Sequence, residues 1–104
     1  MNDDLQNQQQ LAIELSEEIA QGIYSNLAII THSPSEFVVD FVRVMPGIPK
    51  ANVKSRIILT PEHAKRLVMA LQENILKYES LHGNIQVKHE NVVPIVFGGP
   101  TGQA

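Results

Sequence analysis

Residues 52–83 read NVKSRIILTPEHAKRLVMALQENILKYESLHG, a short alternating stretch that runs straight into a long amphipathic one. Val53, Ser55, Ile57 and Leu59 alternate with Lys54, Arg56 and Ile58, the period-2 pattern of a strand. Thr60-Pro61-Glu62 is a helix start: a hydroxyl to cap free N–H groups, a proline for the first helical position, an acid for the positive dipole end. Ala64, Leu67, Val68, Leu71, Ile75 and Tyr78 then recur at helical spacing, and Gly83 supplies the stop. This strand-to-helix unit fixes the fold class. It specifies no reaction.

Working outward, Leu11, Ile13 and Leu15 alternate with polar or small residues and read as a short first strand. Ser16-Glu17-Glu18 opens a helical turn that closes at Gly22. Ile23 to His32 reads as a strand, Ser33-Pro34-Ser35 as a reversal, and Glu36 to Val44 as the returning strand. Met45-Pro46-Gly47-Ile48-Pro49 is a rigid loop, since its two prolines lack ladder donors. The pattern predicts an α+β fold. A four-stranded, mostly antiparallel sheet carries a short helical turn after its first strand and one long C-terminal helix packed on one face. Residues 11–83 form the single domain. Residues 1–10, polar and Gln-rich, are expected to be disordered. Residues 84–104 form a partly apolar tail, either flexible or docking through Val92–Phe97.

Phe37, Val39 and Phe41 supply one apolar side, assigned to the core with Leu27 and Ile29. The opposite side carries Val38, Val42 and Val44, with Tyr24, Ala28 and Ile30 beside them and Asp40 interrupting the row. A half-solvated sheet alternates cleanly, and this one does not. One helix covers one face, so the second face asks for another copy of the chain, in a homodimer or dimer of dimers. The competing cover is the Val92–Phe97 segment. Asp40 needs a cationic partner if buried, and Arg43 or a basic residue of another subunit is the expected source.

The chain has 104 residues, 43% hydrophobic and 18% charged, with a net charge of −3, which excludes a general polyanion coat. Positive charge is nevertheless concentrated: Lys50, Lys54, Arg56, Lys65 and Arg66 fall within residues 50–66 against Glu62 alone. That cluster is a candidate surface for nucleic acid or an anionic ligand, although free aromatic stacking platforms are lacking. No cysteine is present, so disulfides and thiolate metal sites are excluded. His32, Ser33 and Asp40 are triad residue types without nucleophile spacing, and a turn role suits Ser33 better. His63, His82 and His89 are scattered, so no metal, cofactor or catalytic group is expected. Gly98-Gly99-Pro100-Thr101-Gly102 has no lysine after it and is no phosphate loop. With neither an apolar leader nor a run of about 20 apolar residues, a soluble cytoplasmic protein is expected.

Several blocks resemble a known family in order and spacing: Gly22-Ile23-Tyr24-Ser25-Asn26-Leu27, His32-Ser33-Pro34-Ser35-Glu36-Phe37, Met45-Pro46-Gly47-Ile48-Pro49-Lys50-Ala51 and Lys54-Ser55-Arg56-Ile57-Ile58-Leu59-Thr60-Pro61. These resemble the domain-of-unknown-function family numbered 3467, a set of small prokaryotic proteins, over roughly residues 11–83. The resemblance implies no activity. The element order is also similar to that of the export chaperone SecB, whose sheets assemble into dimers and tetramers and bind unfolded chains in apolar grooves. This chain departs from SecB in lacking an aromatic-rich groove and a second helix. Together these features favour a non-enzymatic oligomeric binding or scaffold module. Its partners would be its own copies and other polypeptides, met on the Tyr24, Ala28, Ile30, Val38, Val42 and Val44 surface.

Overall fold

A computed structural model describes residues 10–88. A one-turn helix α1 (Glu17–Ala20) precedes strands β1 (Leu27–His32), β2 (Phe37–Arg43) and β3 (Asn52–Leu59), and helix α2 (Pro61–His82) follows. The strands form one antiparallel sheet in the order β1-β2-β3. The chain is therefore α+β with a long C-terminal helix, as its pattern predicts.

Local chemistry sets the helix ends. Ser16 caps α1, its hydroxyl accepting from the Ile19 N–H at 3.1 Å. Thr60 does the same for α2, accepting from the His63 N–H at 3.2 Å, with Pro61 in the first turn. At the other end the Gly83 N–H donates to the Glu79 carbonyl, with Gly83 at φ 93°, a backbone state that costs little only without a Cβ.

The sheet has three strands, not the four expected. Residues 11–15 alternate but take no strand, and Leu11, Ile13 and Leu15 are 80%, 85% and 70% exposed. Period-2 alternation shows compatibility with a sheet; a strand also needs a ladder partner, and among the described residues this segment pairs with neither sheet edge.

The face assignment is corrected as well. His32 lies opposite Phe37, which leaves the four residues Ser33–Glu36 as the hairpin loop, closed by the Ser33 N–H donating to the Glu36 carbonyl. An even loop places odd-numbered residues of β1 opposite even-numbered residues of β2. Leu27, Ile29 and Thr31 consequently share a face with Val42, Asp40 and Val38, whereas Ala28, Ile30 and His32 lie with Phe41, Val39 and Phe37. A one-residue slip in register moves every side chain of a strand to the other face.

Helix α2 does not roof the sheet. None of its residues is buried, and Leu67, Leu71, Ile75 and Tyr78 are all exposed. The cause is the connection: Thr60 alone separates β3 from α2, whereas a helix that doubles back onto its sheet usually follows a turn of about 2–6 residues. Among the described residues the buried apolar set is only Val39, Val42 and Leu59. The Val92–Phe97 segment, proposed above as a cover, lies outside the described residues, as do residues 1–9.

Replacing Thr60 by Ala removes the α2 cap and lowers stability by about 1 kcal/mol, while Thr60→Ser stays within a few tenths of the parent. Urea unfolding followed by circular dichroism measures both.

Candidate functional site

The polar feature at the centre of the sheet is an ion pair. Asp40 on β2 lies directly opposite Arg56 on β3. Arg56 Nε donates to Asp40 Oδ1 at 2.6 Å and Nη2 to Oδ2 at 2.8 Å, a two-point fork. Asp40 is 2% exposed, while the Arg56 side chain stays 43% exposed. The Arg56 hydrogen bonds hold the Asp40 carboxyl below the usual carboxylate range, against the opposing effect of burial. Arg43, the partner expected within the strand, cannot serve: its register partner is Asn52, and it lies under the influence of Tyr24 instead, 5.9 Å from that ring's centre.

The surface expected to contact partners divides between the two faces. Val38, Asp40 and Val42 occupy one; Ala28 and Ile30 occupy the other. Tyr24 precedes β1 and is exposed, and Val44 follows β2. Asn26 holds Val44 as a surrogate strand partner: its Oδ1 accepts from the Val44 N–H at 2.8 Å and its Nδ2 donates to the Val44 carbonyl at 2.9 Å.

The basic cluster also divides. Arg56 is committed to Asp40, and Arg66 pairs with Glu62 one helical turn away on the exposed surface of α2. Lys65 is exposed on α2. Lys50 and Lys54 instead line a groove of about 150 Å³ with Arg43, Met45, Ile48, Ala51 and Asn52. Arg43 was absent from the sequence-based cluster because it comes from the facing strand; only the Arg43–Asn52 register reveals it.

The triad residue types are not assembled. Asp40 and His32 lie on opposite faces, and His32 stacks on Phe37 with ring centres 5.3 Å apart. The Ser33 hydroxyl accepts from the Ser35 and Glu36 N–H groups in the hairpin loop. Among the described residues no group of three His, Asp or Glu side chains converges as a metal site, and no helix is long and apolar enough to cross a membrane.

The family described as "Protein of unknown function (DUF3467)" matches residues 1–87. The chain belongs to that family. No curated protein and no solved structure matches it, so the likeness to SecB finds no support among known folds.

The ion pair makes a pH signature testable. Because the folded-state pKa of Asp40 is lowered, its contribution is complete above the unfolded carboxyl value of about 3.9 and fades as acid protonates the folded form. Arg56→Met strands a buried carboxylate, whose pKa then rises with desolvation, so the sign inverts. The variant's urea midpoint falls below wild type at pH 8 and recovers towards pH 5. A variant with the wild-type pH dependence contradicts the pairing.

Proposed function

We propose that this protein is a non-enzymatic binding or scaffold module that works as a homo-oligomer. The observation that carries this reading is one chain owning both halves of an unmade α/β layer. Among the described residues, helix α2 leaves Leu67, Leu71, Ile75 and Tyr78 exposed, Leu71 at 57%. On the Phe41 face Arg43, at the end of β2, is the one charged residue that β1 and β2 contribute, and Ile30 is 61% exposed. A helix stripe and a sheet face are each stable only when buried against another element. Two copies related by a two-fold axis can each offer a helix to the other's sheet, which closes the assembly.

Energetics favours the exchange. Fully burying a Leu or Ile side chain is worth about 1.5–3 kcal/mol relative to exposure, and several side chains on each surface are available. An isolated helix of 22 residues draws modest stability from propensity, so its persistence depends on such packing. The opposite face, with Leu27, Ile29, Val38 and Val42 around the ion pair, is then left for other polypeptides or for pairing of dimers. The open β1 and β3 edges offer unpaired backbone groups to an added strand. Residence in the cytoplasm belongs to the same proposal and fits a chain without cysteine. Nucleic-acid binding through Lys54, Arg56, Lys65 and Arg66 ranks second, because Arg56 and Arg66 already hold carboxylate partners.

Light scattering coupled to size exclusion tests the reading. The wild type runs as a dimer or larger at micromolar concentration. Leu71→Asp with Ile75→Asp weakens association at least 100-fold and yields monomer. A wild type that is monomeric at 100 µM, with stability indifferent to the double substitution, refutes it.

A further inference from the structure

We propose that the groove between the β2–β3 ends and the Met45–Pro49 loop binds a single phosphoryl group on a small phosphorylated molecule, through Arg43, Lys50 and Lys54. This site lies at the Arg43 end of the Phe41 face, and its lining shares no residue with the α2 stripe or with Ile30, which carry the oligomer reading.

Three devices bring the cations together. Register places Phe41 opposite Ser55 and Val42 opposite Val53, so Lys54 is the extra residue of a β-bulge. Bulges re-aim side chains, and this one sets Lys54 on the same groove as Arg43 and Asn52. Met45-Pro46-Gly47-Ile48 forms a turn closed by the Ile48 N–H donating to the Met45 carbonyl at 3.2 Å. Proline second and glycine third at φ 80° are the requirements of a type II turn, and Pro49 stiffens the exit to Lys50. Arg43, finally, lies near the Tyr24 ring, which restricts where its guanidinium travels.

The lining contains three cations and no acid. Among the described residues Arg43, Lys50 and Lys54 form no ion pair, in contrast to Arg56 and Arg66. Like charges gathered on one groove repel, and a dianion reverses that cost while accepting several charge-assisted hydrogen bonds. The whole chain is net −3, so this concentration of positive charge is local. Size selects the ligand. At about 150 Å³ the groove is smaller than the roughly 300–1,000 Å³ of pockets that enclose drug-sized molecules, so it holds a phosphoryl group and leaves the rest of the ligand outside. Met45 and Ile48 supply apolar contact for a few attached carbons.

The test is a titration of the ¹⁵N-labelled full chain with inorganic phosphate, and separately with glycerol 3-phosphate, at ionic strength held constant with chloride. Saturable amide shifts centred on residues 43–54 are expected, with millimolar or tighter Kd and the ester binding at least as well as phosphate. Lys50→Gln and Lys54→Gln each weaken binding about tenfold, the scale of one hydrogen bond to a charged group, while Lys65→Gln leaves it unchanged. Amide spectra report whether each variant keeps its fold; Arg43→Gln replaces any that does not. Shifts linear to 50 mM overturn the proposal, as does equal weakening by Lys65→Gln. So does a single-stranded oligonucleotide whose affinity climbs with length, which assigns the groove to a polyanion track.

Discussion

One residue, Thr60, joins the end of β3 to the start of α2, and most of the architecture depends on how short that joint is. With so short a joint, α2 keeps its apolar stripe exposed instead of packing it on the sheet, and among the described residues none of the helix is buried. Each surface is well formed, because caps and ladder hydrogen bonds are local. The helix stripe stays exposed, and the sheet face buries Val39 and Leu59 while leaving Ile30 and Ile57 exposed. A small domain already conceals a modest share of its surface, and one whose helix buries none of its residues conceals less. In the proposed assembly a second copy supplies that burial.

Against that open arrangement, the Asp40–Arg56 pair acts as a register lock. With Asp40 opposite Arg56, both carboxylate oxygens are satisfied. Slipping β3 by one residue sets the carboxylate against Ser55 or Ile57 and leaves it buried without its counter-charge, which is far more costly than the pair is stabilising. The bulge at Lys54 falls beyond the pair, towards the strand ends. It breaks the ladder where pairing gives way to the loop, and it sorts Lys54 from Arg56. Adjacent in a basic-looking run, these side chains have unlike fates: one neutralised in the sheet, the other facing a groove.

Features set by local chemistry were legible in the sequence. Thr60-Pro61-Glu62 and Gly83 bracket α2 because caps and a positive φ are properties of a few consecutive residues. The Ser33–Glu36 reversal and the two strands around it are legible for the same reason. Faces were not, since they turn on whether the hairpin loop holds an odd or an even number of residues, and Ser-Pro-Ser is compatible with either. The partner of Asp40 was sought at Arg43, three residues along the same strand, when the ladder brings Arg56 from another. Arg43 escaped the basic cluster through the same blindness to cross-strand pairing. Leu11–Leu15 carries a strand's alternation, yet alternation says nothing about whether an edge is within reach.

The claim beneath the account is that folding and association of this chain are one event. The most direct measurement is the urea midpoint as protein concentration rises 100-fold, from 2 to 200 µM. Mass action on a dimer contributes about 2.7 kcal/mol over that range, and with a slope near 2 kcal/mol per molar the midpoint climbs by about 1 M. A midpoint that stays fixed, with one sharp transition, contradicts the account: the single chain would then be burying its own helix and sheet.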